Sequence, residues 1–240
     1  MSEIALVAAL EREVWPLVRS WRLVDREYGG RCFRFFEAAN RVAVCGGMGA
    51  EAARRATEAV IMLYQPAVVQ SVGFAGALDK GLRIGQVLEP RYIVDASDGS
   101  RVDTGSGIGT LVSFASVAGK AQKARLATAY GAQAVDMEAA AVARGTQAHG
   151  LRFAAFKVVS DDLGLPVPDM ERFTDRDGRL REWAFAVHAA LRPWLWFTVI
   201  CLGRNSSKAS HALSQHLKSA EHAHTGSASI DAAPLTRNGP

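Results

Sequence analysis

The chain has 240 residues, 49% of them hydrophobic and 22% charged, with a formal net charge of +4. That is long enough for a sizeable core and has the balance of a soluble globular protein, not of a membrane-embedded or disordered one. Basic residues are dispersed rather than gathered in a stripe, which argues against nucleic acid as a partner. Cys32, Cys45 and Cys201 have no paired spacing, so neither a disulfide framework nor a zinc site is expected, and a reducing compartment is. Glu3 leads straight into an apolar run without a basic leader, so no signal peptide is expected and the location is taken as cytoplasmic.

In chain order, residues 4–10 (IALVAAL) read as a buried strand and 12–21 as the helix after it. Residues 33–37 and 42–45 are two strands about a turn at Asn40. CGGMG (45–49) is a glycine-rich turn, followed by an Ala-rich helix over 50–63 with Arg54, Arg55 and Glu58 on its outer face. Residues 67–72 form the next buried strand, and Gly73-Phe74-Ala75-Gly76 reads as the turn behind it. Further strands are expected at 87–94, 110–114 and 153–159, and helices at 119–129, 137–148, 179–191 and 205–218. Strands alternating with helices predict an α/β fold: one domain over 1–219, with a mixed, largely parallel central sheet flanked by helices.

From 220 the sequence turns small, polar and turn-forming, so 220–240 is expected to be a disordered tail. His211, His216, His222 and His224 are expected to be solvated rather than metal ligands. Residues 183–203 carry only His188 and Arg192 as ionisable groups. Arg192 and Pro193 compromise a spanning helix, and 194–202 is too short to cross a bilayer. The segment suits a proline-broken core helix, or an interfacial element making a peripheral membrane or lipid contact.

Ligands of open α/β sheets bind at the carboxyl ends of strands. Four segments fall there: LEREV (10–14), GFAGA (73–77), VDME (135–138) and VSDD (159–162). In AVDMEAAAV (134–142) a strand end hands over to a helix start, where the helix dipole favours negative charge, so Glu138 is expected to stay ionised. Such a carboxylate could accept both hydroxyls of a ribose diol, or be simply an N-terminal helix carboxylate. Asp161 suits a general acid and equally a cap or turn residue ahead of Gly164 and Pro166.

These segments, in this order over about residues 3–162, resemble the nucleoside phosphorylase/nucleosidase superfamily. That superfamily includes purine nucleoside phosphorylase and methylthioadenosine/S-adenosylhomocysteine nucleosidase. ALEREV is similar to the nucleosidases' strand and acidic helix start, and CGGMG to their Ser-Gly-Ile-Gly turn. VGFAGAL with LRIGQV is similar to their Gly-Ser-Ala-Gly-Gly-Leu and Val-Gly-Asp segments, VDMEAAAVA is the strongest match, and VVSDD resembles their Ile-Ser-Asp. The resemblance implies a nucleoside-phosphorylase-like fold and cleavage of a purine N-glycosidic bond without a cofactor or metal.

By the same resemblance Glu138 binds the ribose hydroxyls and Met137 packs on the sugar. Asp161 meets purine N7 as general acid, with Ser160 beside it, and Glu13 positions or activates water. Gly47, Gly73, Phe74 and Ala75 are the loop residues near the site. Phe74 stands where relatives carry a small hydroxyl residue that helps bind phosphate or water. The short segment 95–109 implies an open site able to admit a bulky 5′ substituent. GFAGALDKGLRIG, AVDMEAAAVA and the stretch from 190 to 213 most resemble the hopanoid-associated phosphorylases, thought to remove adenine from adenosylhopane. That likeness tips the acceptor towards phosphate as co-substrate and implies a lipid-linked nucleoside. Glu13 argues for water instead, because a carboxylate beside the anomeric carbon repels phosphate. A homo-oligomer is implied by the family alone, and a catalytically silent nucleoside-binding member is the alternative from another class.

Overall fold

A computed structural model of the chain describes residues 3–163 and 193–227. The elements are β1 (Ile4–Ala8), α1 (Glu11–Val18), β2 (Arg22–Tyr28), β3 (Arg31–Glu37), β4 (Arg41–Cys45), α2 (Ala50–Tyr64), β5 (Val68–Ala77), β6 (Val87–Leu88), β7 (Tyr92–Asp95), β8 (Arg101–Asp103), β9 (Thr110–Ser113), α3 (Lys120–Tyr130), β10 (Ala134–Asp136), α4 (Ala139–Ala148), β11 (Arg152–Asp161) and α5 (Pro193–Ser227). The expected helix at 179–191 lies outside the described residues.

The strands form one mixed sheet in the order β2-β3-β4-β1-β5-β10-β9-β7-β8, with β11 pairing β5 and β6. Its centre is largely parallel: β1 runs between β4 and β5, and β11 follows β5 from Arg152↔Val68 to Asp161↔Gly76, while β10 meets the end of β5 antiparallel. The antiparallel pairs β2–β3–β4 and β7–β8 lie towards the two ends. This is the expected α/β class, with helices on both faces.

Period-2 alternation divides the core between those faces. Ala5 and Val7 of β1, with Val42 and Val44 of β4, pack against Ala53, Ala56 and Val60 of α2 and Val142 of α4. Leu6 and Ala8 point the other way, with Ala43, to meet Val14, Leu17 and Val18 of α1 and Leu213 and Leu217 of α5. Gly46 is needed for the first packing: a Cβ there would lie 2.6 Å from Ala56 Cβ and 2.9 Å from the Ala52 carbonyl oxygen.

Four boundaries differ from expectation. β5 continues through Gly73–Gly76, which had read as a turn, and β11 continues to Asp161. Residues 87–94 divide at Pro90 into β6 and β7, because proline lacks the N–H that a ladder needs. α5 is described from Pro193, and the proline-broken helix expected across that residue reaches outside the described residues. α5 then runs to Ser227, past the boundary expected near 220. Its stretch from 204 to 225 contains neither glycine nor proline to stop it, and the tail expectation now concerns 228–240, outside the described residues.

Candidate active site

β1 delivers the chain to α1, and Glu13 is the third residue of that helix. Its Oε2 reaches back to accept the backbone N–H groups of Ala9 (3.1 Å) and Leu10 (3.2 Å), satisfying donors that a helix start leaves unpaired. The side chain is buried against β5. A Cβ at Gly73, which holds φ +145°, would lie 2.7 Å from Glu13 Oε2. The first glycine of GFAG is therefore the seat of this carboxylate. Burial pushes the Glu13 carboxyl above its ordinary range, against the opposing pull of Lys157 and the Leu10 N–H.

Glu138 occupies the N-cap of α4. Its Oε1 accepts the Gly49 N–H (2.8 Å) and its Oε2 the Met137 N–H (3.2 Å). The CGGMG turn thus holds the carboxylate, with Gly49 at φ +91° where a side chain would be strained. Beneath it, Asp136 accepts the Ser113 hydroxyl (2.6 Å), the Ala139 N–H (2.9 Å) and the Lys157 ammonium (2.9 Å). Burial works against the helix dipole at Glu138. Burial first, and the neighbouring Asp136 second, push its carboxyl up to about 7, outweighing Lys157 and the Gly49 N–H. Burial alone would lower the Lys157 ammonium, but Asp136, Glu138 and Glu13 together raise it.

At the other end of the cavity β11 carries Ser160 and Asp161. A register shift between Val159 and Asp161 re-aims the strand end. Asp161 Oδ1 accepts the Ser160 hydroxyl (3.0 Å), and Oδ2 accepts the Lys123 ammonium from α3, which also donates to the Asp162 carbonyl (2.8 Å). Lys123 is only 2% exposed. Asp161 is therefore an ion-pair partner of Lys123. Gly76, the second glycine of GFAG, makes room for the pair: a Cβ there would lie 3.0 Å from Asp161 Oδ2 and 3.2 Å from Lys123 Nζ.

One cavity of about 800 Å³ joins these groups. Glu13, Phe74, Ala75, Met137, Glu138, Ser160 and Asp161, all singled out from the sequence, line it together. Gly73 underlies Glu13, whereas Gly47 lines a neighbouring cavity beside Arg31 and Arg34. Sequence reasoning missed Lys123, Lys157 and the structural role of Asp136. It also missed the outer wall, where Trp15 and Pro16 of α1 face Leu202, Ser206 and His211 of α5. A lysine within the apolar run AFKVV was the available signal for Lys157; nothing in α3 marked Lys123.

Among the described residues no group of three His, Cys, Asp or Glu side chains is arranged for a metal ion. His216 is not simply solvated: on α5 its Nε2 pairs with Glu89 at 2.9 Å. No helix among the described residues is long and apolar enough to cross a membrane.

The phosphorylase superfamily model matches residues 3–116 and 109–192. The chain belongs to the phosphorylase superfamily. No curated protein matches it, but solved structures of the same fold do. The 5′-methylthioadenosine/S-adenosylhomocysteine nucleosidase of Helicobacter pylori is similar over 92% of this chain and 98% of its own, with TM-score 0.69 and 18% identity. Futalosine hydrolase of the same organism gives the same TM-score, identity and coverages. The corresponding nucleosidase of Neisseria meningitidis, in complex with methylthio-immucillin-A, is 19% identical over 90% of this chain and 97% of its own, with TM-score 0.66. Identities this low establish the superfamily fold.

Proposed function

We propose that this chain cleaves the N-ribosyl bond of an adenine nucleoside, with water as the acceptor. The observation that carries the reading is the convergence of Glu13, Glu138 and Asp161 on one cavity, each held by backbone or side-chain hydrogen bonds. Glu138 accepts the ribose 2′ and 3′ hydroxyls. Asp161 faces purine N7, and its carboxylate also suits the exocyclic amine of adenine, a hydrogen-bond donor. As the C1′–N9 bond breaks, its electron pair goes to the purine and N7 takes a proton. Water adds to the oxocarbenium-like sugar and gives its own proton to Glu13, whose affinity for protons is raised by burial.

Water is favoured over phosphate by charge. Glu13, Asp136 and Glu138 surround the sugar end with a single buried lysine between them, and Phe74 lines the position where a hydroxyl would help hold an anion. In their ionised forms these carboxylates repel phosphate, against the attraction of Arg12, which lines the same cavity. The similar nucleosidases and futalosine hydrolase, named for hydrolysis of nucleosides, agree with that choice. The cavity's outer wall of Trp15, Pro16 and Leu202 favours a 5′ substituent that is large and apolar, as in an adenosyl-hopanoid. The side chains of Trp194, Trp196 and Phe197, expected from the sequence to bear on lipid contact, lie outside those described.

Incubating the full chain with adenosine, 5′-methylthioadenosine, S-adenosylhomocysteine and adenosines bearing large apolar 5′ groups tests the reading. Adenine release is expected, fastest for the last group. Asp161→Asn is expected to slow it by about 10²–10⁴-fold. Binding of these compounds without release of base would instead indicate a non-catalytic nucleoside-binding protein.

A further inference from the structure

We propose that Lys123 is the proton source for the departing base, acting through Asp161; the inference rests on the site being one that cleaves an adenine nucleoside. A carboxylic acid that protonates N7 must itself carry the proton. Here Asp161 Oδ2 accepts the Lys123 ammonium and Oδ1 accepts the Ser160 hydroxyl, so both oxygens are acceptors before substrate enters. The ammonium proton held on Asp161 Oδ2 belongs to Lys123.

Burying an ammonium is costly unless it is paired and hydrogen-bonded, and an apolar residue would hold α3 more cheaply. Yet Lys123 is almost wholly enclosed, donates to both Asp161 and the Asp162 carbonyl, and lines the cavity itself. Gly76 keeps open the space that the pair occupies. Facing it across the cavity are Glu138 from the start of α4, Glu13 from α1 and His211 from α5. In the step proposed, the C1′–N9 electron pair moves onto the purine as Lys123 gives its proton to the Asp161 carboxylate and Asp161 passes that proton on to N7. The immediate products are neutral adenine, a ribosyl cation, an Asp161 carboxylate and a neutral Lys123 amine. Water captures the cation, its proton passes to Glu13, and Lys123 recovers a proton from solvent once adenine leaves. Lys123 is thus a positioning and proton-supplying residue that reaches the substrate through Asp161.

Two variants and two leaving groups test this. Lys123→Met removes both charge and proton. Lys123→Arg keeps the charge and the hydrogen bonds but does not release a proton. At pH 8 both should release adenine about 10²–10³-fold more slowly than the wild type. Both should cleave 4-nitrophenyl riboside, whose phenolate leaves without protonation, within about threefold of it. Normal adenine release by Lys123→Arg, or equal losses on the two substrates, would overturn the proposal while leaving the reading of the site intact. A wild type that releases no base from any nucleoside sinks that reading and the proposal with it.

Discussion

At the sugar end of the cavity Glu13, Asp136 and Glu138 share one buried lysine, Lys157, whereas at the base end Asp161 has Lys123 beside it. The sugar end is built with carboxylate in excess. Two of its carboxyls are pushed up, and the region is poised to favour positive charge on whatever binds between them. The base end pairs one charge with one charge and presents a hydrogen-bonded carboxylate with a proton donor behind it. A cavity divided in this way suits a reaction in which one half of the substrate becomes cationic and the other leaves as a base needing a proton.

The largest effect should come from destroying the compensation at the sugar end. Lys157→Met leaves the carboxylates without their buried cation, and breaking a buried pair in this way costs about 3–5 kcal/mol. Urea unfolding should show that loss, and adding Asp136→Asn should recover part of it. A Lys157→Met protein as stable as the wild type would contradict the shared network.

Glu138→Gln should next separate function from stability. Adenine release should fall about 10²–10³-fold, because a neutral amide stabilises a cationic sugar poorly, and 2′-deoxynucleosides should be poor substrates of the wild type. Stability should move the other way. Folding raises the carboxyl from its ordinary 4.5 to about 7. Between those values the unfolded chain sheds a proton that the native state retains, so this group's contribution to stability is lost as pH rises from 4.5 to 7. Glutamine removes that slope. The variant should melt a few degrees higher than the wild type at pH 8 and gain little at pH 4.5. No difference in melting between the two pH values would mean that Glu138 is not so perturbed.

Gly73→Ala should be milder. The new Cβ would collide with the Glu13 carboxylate and strain a backbone at φ +145°. Displacement of the base by about 1 Å is worth up to about 10²-fold in turnover, with substrate affinity changed much less. Equal losses in kcat and affinity would show a general collapse of the site instead. The smallest effect is expected from Trp15→Ala at the cavity's outer wall: a several-fold rise in KM for apolar 5′ derivatives and none for plain adenosine.

The sheet's centre and the cavity-lining carboxylates could be read from the sequence because the signals were local: an apolar run, a helix start, a carboxylate at a strand end. The errors share a physical origin in contacts distant along the chain. GFAG read as a turn because glycines usually punctuate. Here they lie inside β5, since Glu13 and the Asp161–Lys123 pair occupy the space that side chains would fill. β2 (RLVDREY) was missed because its exposed face carries charge in place of the apolar alternation that marks a strand. The upward pull on the Glu138 carboxyl was not legible because the helix dipole is visible in sequence, whereas burial beside Asp136 is not. Lys123 lies 38 residues from Asp161, and only the fold brings them together.

The most direct test of the central claim is to run the reaction in ¹⁸O-labelled water with millimolar phosphate present and analyse the sugar product by mass spectrometry. A carboxylate-rich sugar end with one compensating lysine predicts free ribose, or its 5′ derivative, carrying ¹⁸O at C1 in stoichiometry with adenine. Formation of the unlabelled ribose 1-phosphate in stoichiometry with adenine would contradict it.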